Sequence, residues 1–264
     1  MQQLTRLRQY VLHELSAFGF VRRPQILKLA ERLARRYLRA SVADPVLRHK
    51  LVPTYAMGCK RILISNDYYP AVQRENVELV TAAIREVRAA SIVTGDGQER
   101  AVDAIILATG FQAAEAVTPF AVQGRDGRAL AKVWEKGAEA YLGTAIAGFP
   151  NLFLIVGPNT GLGHNSMVYM IESQVAYIRS GIELMRSRGW KQVEVRPEVQ
   201  TSYNQALHAR FPRTVWSSGC ASWYRTRSGK NTTLWPGFTF EFRRRTRRFD
   251  PASYALVALA GDPT

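Results

Sequence analysis

The sequence predicts an α/β fold led by a pair of helices, and three observations carry that prediction. Residues 101–108, AVDAIILA, form an apolar run that stops at Thr109 and Gly110. Residues 148–174 read as a short apolar strand, a glycine-bearing turn and the start of a long helix. Ahead of both, apolar residues recur at three- and four-residue steps, the period of an amphipathic helix.

The first helix is expected over residues 5–18, where Leu7, Val11, Leu15 and Phe18 fall on one stripe. Pro24 suits the first turn of a second helix, with Leu27, Ala30, Leu33 or Ala34, and Tyr37 on its apolar side. Arg32, Arg35, Arg36 and Arg39 make its other face basic. From Leu51 onward the pattern shifts to short β-like runs at 61–65, 77–80, 84–87 and 91–94. Thr94, Gly95, Asp96 and Gly97 read as a hairpin turn. Residues 101–108 have the continuous apolar character of a strand buried on both faces. A second such strand is expected at 152–156, then a helix from about residue 166 to 187, a strand at 192–195 and a helix over 199–210. Residues 214–238, rich in Trp, Gly, Ser and Asn, read as loop.

A chain of 264 residues with 47% hydrophobic and 22% charged residues can bury a core. Its net charge of +15 permits nucleic acid, anionic lipid or a phosphate-bearing cofactor as partner. The excess is mostly scattered Arg, with one cluster at Arg243, Arg244, Arg245, Arg247 and Arg248, and the plainer reading of that cluster is a solvated tail. No RNP pattern, zinc spacing or helix-turn-helix signature points to nucleic acid, and no metal site is expected. No apolar run reaches the length of a membrane span, and the N-terminus lacks a signal peptide's apolar core, so a cytoplasmic location is expected. Cys59 and Cys220 are far apart and do not make a disulfide framework. Cys59 stands beside two cations, yet nothing else suggests thiol chemistry.

The turn at Gly157, Pro158, Asn159, Thr160, Gly161 and Gly163, opening a helix near Ser166, is a layout that turns free N–H groups and a positive helix end toward an electron-rich ligand. Glycines there let the backbone approach that ligand. Alone, this turn and the Ala108, Thr109, Gly110 strand end each fit ordinary packing as well as cofactor binding. Together with residues 58–80, GCKRILISNDYYPAVQRENVELV, and 214–237, TVWSSGCASWYRTRSGKNTTLWPG, they make a more specific set.

That set resembles the C-terminal half of a flavin-dependent Baeyer–Villiger monooxygenase, within the flavin-containing monooxygenases, over about residues 30 to 243. The resemblance implies fragments of two interleaved, Rossmann-like dinucleotide-binding domains, one for FAD and one for NADPH. Residues 1–57 would be a helical segment and remainder of the NADPH domain, and 58–110 a β-rich interdomain segment. Residues 111–200 would be the C-terminal part of the FAD domain, and 201–264 a loop-rich closing segment with a basic tail. The implied reaction uses NADPH and O2 to turn a ketone into an ester or lactone, or to oxidise an N or S centre.

Arg61 falls on the family's active-site arginine, whose permanent charge would stabilise an anionic oxygen nucleophile. Lys60 resembles the cation facing the 2′-phosphate of NADPH. Thr109 and Gly110 match the motif closing the flavin domain, and Gly157, Pro158, Asn159, Gly161 and Ser166 match the turn and helix start facing the flavin. Trp223 resembles a tryptophan that folds over the nicotinamide cofactor. His164 has no nucleophile or metal partner in the sequence, and packing or a helix-start hydrogen bond is the simpler reading. Residues 161–166, GLGHNS, imitate a dinucleotide fingerprint after too long a turn.

The family's GxGxxG loop for FAD, its second loop for NADPH and its own signature are absent from the sequence. The resemblance therefore implies a C-terminal portion that is inactive and marginally folded alone. A non-catalytic remnant, a subunit needing a separate N-terminal half, and a basic binding protein are the alternatives. Substrate identity is not legible.

Overall fold

In the computed structural model, which describes residues 2–111, 114 and 120–259, the chain divides into two units. Residues 1–28, 55–62 and 112–264 make up the first, and 29–54 and 63–111 the second. Residues 112, 113, 115–119 and 260–264 of the last two expected segments lie outside the described residues.

The N-terminal pair is present as α1 (Gln2–Val21) and, after a short 3-10 turn opened by Pro24, α2 (Leu27–Ser41), which lies in the second unit from Leu29 on. The predicted stripe on α1 does not pack. Leu7, Val11, Leu15 and Phe18 are all exposed, and α1 instead turns Tyr10, Glu14, Ala17 and Val21 inward, with Arg6 paired at the surface. Polar and aromatic contacts settle that face: Arg6 pairs with Glu172, Tyr10 stacks on Tyr169 at 5.0 Å, and Glu14 accepts from Asn165 Nδ2 at 3.0 Å. Leu33 and Tyr37 of α2 are likewise exposed, while Leu38 is buried.

In the second unit, Asp44 caps α3 (Pro45–Leu51) by accepting from Val46 N at 2.9 Å, with Pro45 in the first turn. A short α4 (Tyr68–Val72) follows. The strands β1 (Ile84–Val87), β2 (Ser91–Thr94) and β3 (Glu99–Ala101) form an antiparallel meander in that order. The predicted turn joins β2 to β3, with Gly97 at φ +84°. The runs at 61–65 and 77–80 are not strands, and the expected buried strand at 101–108 is not formed beyond Ala101. Ile106 is 91% and Leu107 80% exposed. A continuous apolar run becomes a two-face-buried strand only when neighbouring strands and covering helices are supplied. The described residues supply none at this position.

The first unit is organised by α6 (Met167–Ser187), which comes after a short α5 (Leu130–Val133). Met170, Ser173, Gln174, Tyr177 and Gly181 line its buried face at helical spacing. Next come β4 (Trp190–Val195), α7 (Pro197–His208), α8 (Thr239–Arg245) and β5 (Tyr254–Ala258), with β5 antiparallel to β4. Val193, Val195, Tyr177, Phe249 and Tyr254 form one core beside that pair. A larger core gathers Phe20, Met170, Trp216, Leu234, Trp235 and Phe242. Gly181 is required where it stands, because a Cβ would lie 2.7 Å from the Phe249 ring.

The expected strand at 152–156 is also absent. Its pairing is a single bridge from Phe153 to Ala145, and the run ends with Val156 in the left-handed region at φ +58°. Backbone groups there are satisfied by a side chain. Gln174, fully buried, donates through Nε2 to Gly143 O at 3.0 Å, Thr144 Oγ1 at 3.0 Å and Leu154 O at 3.3 Å. Its Oε1 accepts from Val156 N at 2.9 Å. The described elements are mixed α/β, and none of the described helices is long and apolar enough to cross a membrane.

Removing the Gln174 carboxamide leaves several buried backbone groups unpaired. Gln174→Ala should lower the unfolding free energy by about 3 kcal/mol, read as a fall in denaturant midpoint. A loss below about 1 kcal/mol would show that water replaces the amide.

Candidate functional site

The turn that follows Val156 is built by packing against the closing segment. Asn159 is buried at φ +56°, and its Nδ2 donates to Asn231 O at 2.8 Å and Leu234 O at 3.0 Å. Its backbone N–H donates to Thr232 O, Gly161 N–H to Thr233 O, and Trp235 N–H to Gly161 O, each at 2.8 Å. Asn231 Oδ1 shapes the other side, accepting from Leu234 N at 2.9 Å. Two motifs far apart in sequence thus form one unit, with a parallel bridge from Gly161 to Leu234.

This changes the explanation of the glycines. A Cβ on Gly157 would stand 2.2 Å from Gly143 O, and one on Gly161 would stand 2.7 Å from Thr233 O. Both are demanded by the chain's own backbone, so their presence does not by itself require a ligand. Gly163 differs. A Cβ there fits, with Trp216 Nε1 at 3.5 Å and Tyr224 Oη at 3.7 Å from its position.

Those two atoms lack hydrogen-bond partners among the described residues, although both side chains are buried. Tyr224 also connects the turn to the cationic pair. Burial raises the Tyr224 phenol above its ordinary pKa, and the Arg61 guanidinium beside it offsets part of that shift without a hydrogen bond of normal geometry. Arg61 itself is exposed, and Lys60 places its ammonium 4.4 Å from the centre of the Tyr55 ring. Trp223 is 44% exposed with its ring 5.3 Å from that of Tyr224. Arg61, Tyr224, Gly163 and the turn at 157–161 therefore make a connected patch of the first unit. Pro158 is buried within the turn.

Ser166 is the residue before α6, exposed, and its side chain caps no helix N–H. Thr109 and Gly110 belong to the second unit. Both are exposed, and Gly110 has φ +88° with nothing within 4 Å of where a Cβ would stand. Among the described residues no cluster of His, Cys, Asp and Glu could hold a metal.

Two readings of the sequence need correction. Cys59 and Cys220 are joined as a disulfide, with Cα atoms 6.4 Å apart. Spacing along the chain carried no sign of this, since 161 residues separate them. Sequence reasoning also passed over Tyr224, which follows Trp223 directly in the closing motif; that adjacency was the available signal.

His164 packs rather than ligates. Its ring lies between Phe20 at 5.7 Å and Trp216 at 5.6 Å. Neither nitrogen has a partner of hydrogen-bond geometry among the described residues. Burial pulls its pKa from 6.5 down to about 4, with the nearby Gly237 backbone offsetting a little. The unfolded chain takes up a proton below pH 6.5 while the folded chain resists until about pH 4, so stability falls with acid across that window. The loss amounts to up to about 3 kcal/mol. His164→Phe should keep the ring contacts and flatten most of the decline in an unfolding series from pH 7 to 4. His208, also lowered by burial, and the carboxylates of Glu78, Glu86, Asp96, Glu99 and Glu135, all held below their ordinary values, contribute to the remaining slope. An unchanged slope in the variant would remove His164 from this account.

Comparison with known proteins gives a consistent picture. No family model matches the chain. It is 52% identical over 259 residues to a Baeyer–Villiger monooxygenase of Pseudomonas aeruginosa, covering 97% of this chain and 49% of that protein. It is 44% identical over 258 residues to a Baeyer–Villiger monooxygenase of Streptomyces coelicolor, covering 96% and 50%. Among solved structures, a complex of OTEMO with FAD and NADP superposes with a TM-score of 0.79 at 27% identity, covering 91% of this chain and 46% of that one. The chain spans about half the length of the relatives it matches. By sequence and by fold it is similar to Baeyer–Villiger monooxygenases, over about half the length of one.

Proposed function

We propose that this chain is the C-terminal part of an FAD- and NADPH-dependent monooxygenase that inserts one oxygen atom from O2 into a ketone, and that it works only with a complementary half. The observation that carries this reading is the patch just described. Arg61 stands beside Tyr224, which in turn stands over Gly163 of a turn that opens an uncapped helix. Trp216 Nε1, without a hydrogen-bond partner among the described residues, and Tyr224 Oη, set beside Arg61, fit a site that also receives a bound group.

FAD, when bound, would supply the redox chemistry and the activation of O2. The chain's own residues would hold and orient. The N–H groups beyond Ser166 and the positive end of α6 would face the electron-rich edge of the reduced ring system. Lys60 would meet the 2′-phosphate of NADPH, and Trp223 would cover the nicotinamide portion. Thr109 and Gly110 would close the flavin domain. Arg61 keeps its charge at any working pH, so it would stabilise negative charge on the attacking oxygen and on the carbonyl oxygen. Arginine at this point favours ketone oxygenation over oxidation of N or S centres. Exposed apolar residues such as Leu63, Ile64, Ile106 and Leu107 support the need for a complement, because a folded chain seldom leaves such runs in water.

A chimera tests this. The matching half of the Pseudomonas relative is replaced by this chain, and the purified product is examined for flavin absorbance and for NADPH oxidation with a panel of ketones. Both should be present, and the 264-residue chain alone should desalt colourless after incubation with FAD. Arg61→Ala in the chimera should still allow NADPH to bleach the flavin while ester formation falls by about 100-fold or more. A folded chimera without flavin would favour the non-catalytic alternative. Unchanged ester yield in the variant would remove Arg61 from the chemistry.

A further inference from the structure

We propose that the Cys59–Cys220 pair is a reversible thiol–disulfide site that tethers the loop bearing Trp223 to the segment bearing Lys60 and Arg61. The tether follows from the chain's own contacts. Only its effect on catalysis rests on the proposed function. The two cysteines stand close in sequence to the cationic pair and to the Trp223 loop: Cys59 precedes Lys60, and Cys220 lies three positions before Trp223. Their Cα separation of 6.4 Å lies within the range that a disulfide spans.

The loop has little else to hold it. Ser217 N–H donates to Thr214 O, Ser218 N–H to Val215 O and Arg225 N–H to Ser222 O, all within three residues along the chain. Ser217 Oγ reaches Phe211 O, and Tyr224 N–H is turned onto Ser222 Oγ. Between Ser218 and Tyr224, no hydrogen bond of the described residues reaches another part of the fold. Ser217, Ser218, Gly219, Ala221 and Trp223 are exposed, and Gly219 sits at φ +90° with open space where a Cβ would be. The Cys220 sulfur is therefore the anchor of this stretch, with the buried Tyr224 ring at its far end.

The two sulfurs differ in access. Cys59 is fully buried among Phe20, Val21, Trp216 and Tyr224, whereas Cys220 is partly exposed. An external dithiol meets Cys220 first. Its thiolate attacks Cys220 Sγ, the Cys59–Cys220 bond breaks, and Cys59 departs as a thiolate that takes up a proton. The second thiol of the reagent then attacks the mixed disulfide and releases Cys220 as a thiol. The reagent leaves as a disulfide, two electrons poorer, and a disulfide oxidant reverses the sequence. In a reducing compartment such a pair is a sensor rather than a permanent staple. Reduction frees the Trp223 loop from the Lys60–Arg61 segment.

The test uses the full chain, equilibrated with either oxidised glutathione or dithiothreitol. Native-state alkylation read by mass spectrometry should add no label to the oxidised protein, and label should appear on the reduced protein at Cys220 before Cys59. Amide hydrogen exchange over residues 217–223 should rise by at least about tenfold on reduction, with β4 unchanged. In Cys220→Ser the same amides should exchange fast with or without reductant, while β4 protection reports that the variant is folded. Two freely labelled cysteines in the oxidised sample would overturn the proposal. So would equal exchange in both states of the wild type, or a reductant response that survives in Cys220→Ser. The wild-type labelling pattern decides the matter even if the variant does not fold. Neither readout involves flavin, so a negative result here leaves the monooxygenase reading standing.

Discussion

The first unit depends on one buried carboxamide. Gln174 projects from the middle of α6 into a region with no β ladder, and it supplies the hydrogen bonds a ladder would have provided. Gly143, Thr144, Leu154 and Val156 all take their place from it. The same solution recurs along the path to the site. Asn159 binds the backbone of 231 and 234, Asn231 binds that of 233 and 234, and Glu194 accepts from Gly148 N at 3.0 Å. Irregular backbone that is buried must still be paired, and here amide and carboxylate side chains pair it. The turn is thereby fixed relative to α6 by side chains placed at single positions in the sequence.

That construction explains why a glycine-bearing turn is an ambiguous sign of a cofactor. Gly143, Gly157 and Gly161 are all pressed against backbone or side-chain atoms of their own chain, closely enough that no Cβ fits. The turn would need those glycines with or without a ligand. Gly163, where a Cβ would fit, lies instead beside Trp216 Nε1 and Tyr224 Oη, so no close backbone approach explains it.

Legibility in the sequence followed the range of the interactions concerned. The 21-residue helix α6, α7 and the strands β1, β2 and β4 were readable because their periodicity and turns are local. The apolar runs at 101–108 and 152–156 were misread as buried strands, since a strand's identity depends on neighbours that its own residues do not encode. The stripe on α1 misled for a similar reason: Arg6, Tyr10 and Glu14 found partners on α6 and near α8, and the apolar face did not. Residues 239–245, TFEFRRR, looked like a loop running into a basic tail, yet they form α8, with Phe242 fully buried. In the site, Lys60, Arg61, Trp223 and the turn were marked by motif. Tyr224, Trp216 and the disulfide were not, because each acquires meaning from a residue distant in sequence.

The cluster of arginines illustrates how packing changes the meaning of charge. Arg243 lies 5.0 Å from the Tyr169 ring centre, and Arg245 and Arg210 lie 5.9 Å and 5.2 Å from that of Trp235. Arg210 also donates to Glu241 at 2.5 Å. A guanidinium over an aromatic face keeps its charge but gives up orientational freedom and part of its hydration. Arg243, Arg244, Arg245, Arg247 and Arg248 nonetheless all remain exposed, so the cluster is a solvated basic face in which Arg243 and Arg245 rest against rings. The net charge of +15 is carried largely by such exposed arginines, on α2 and on α8, several of them set against rings or carboxylates of their own chain.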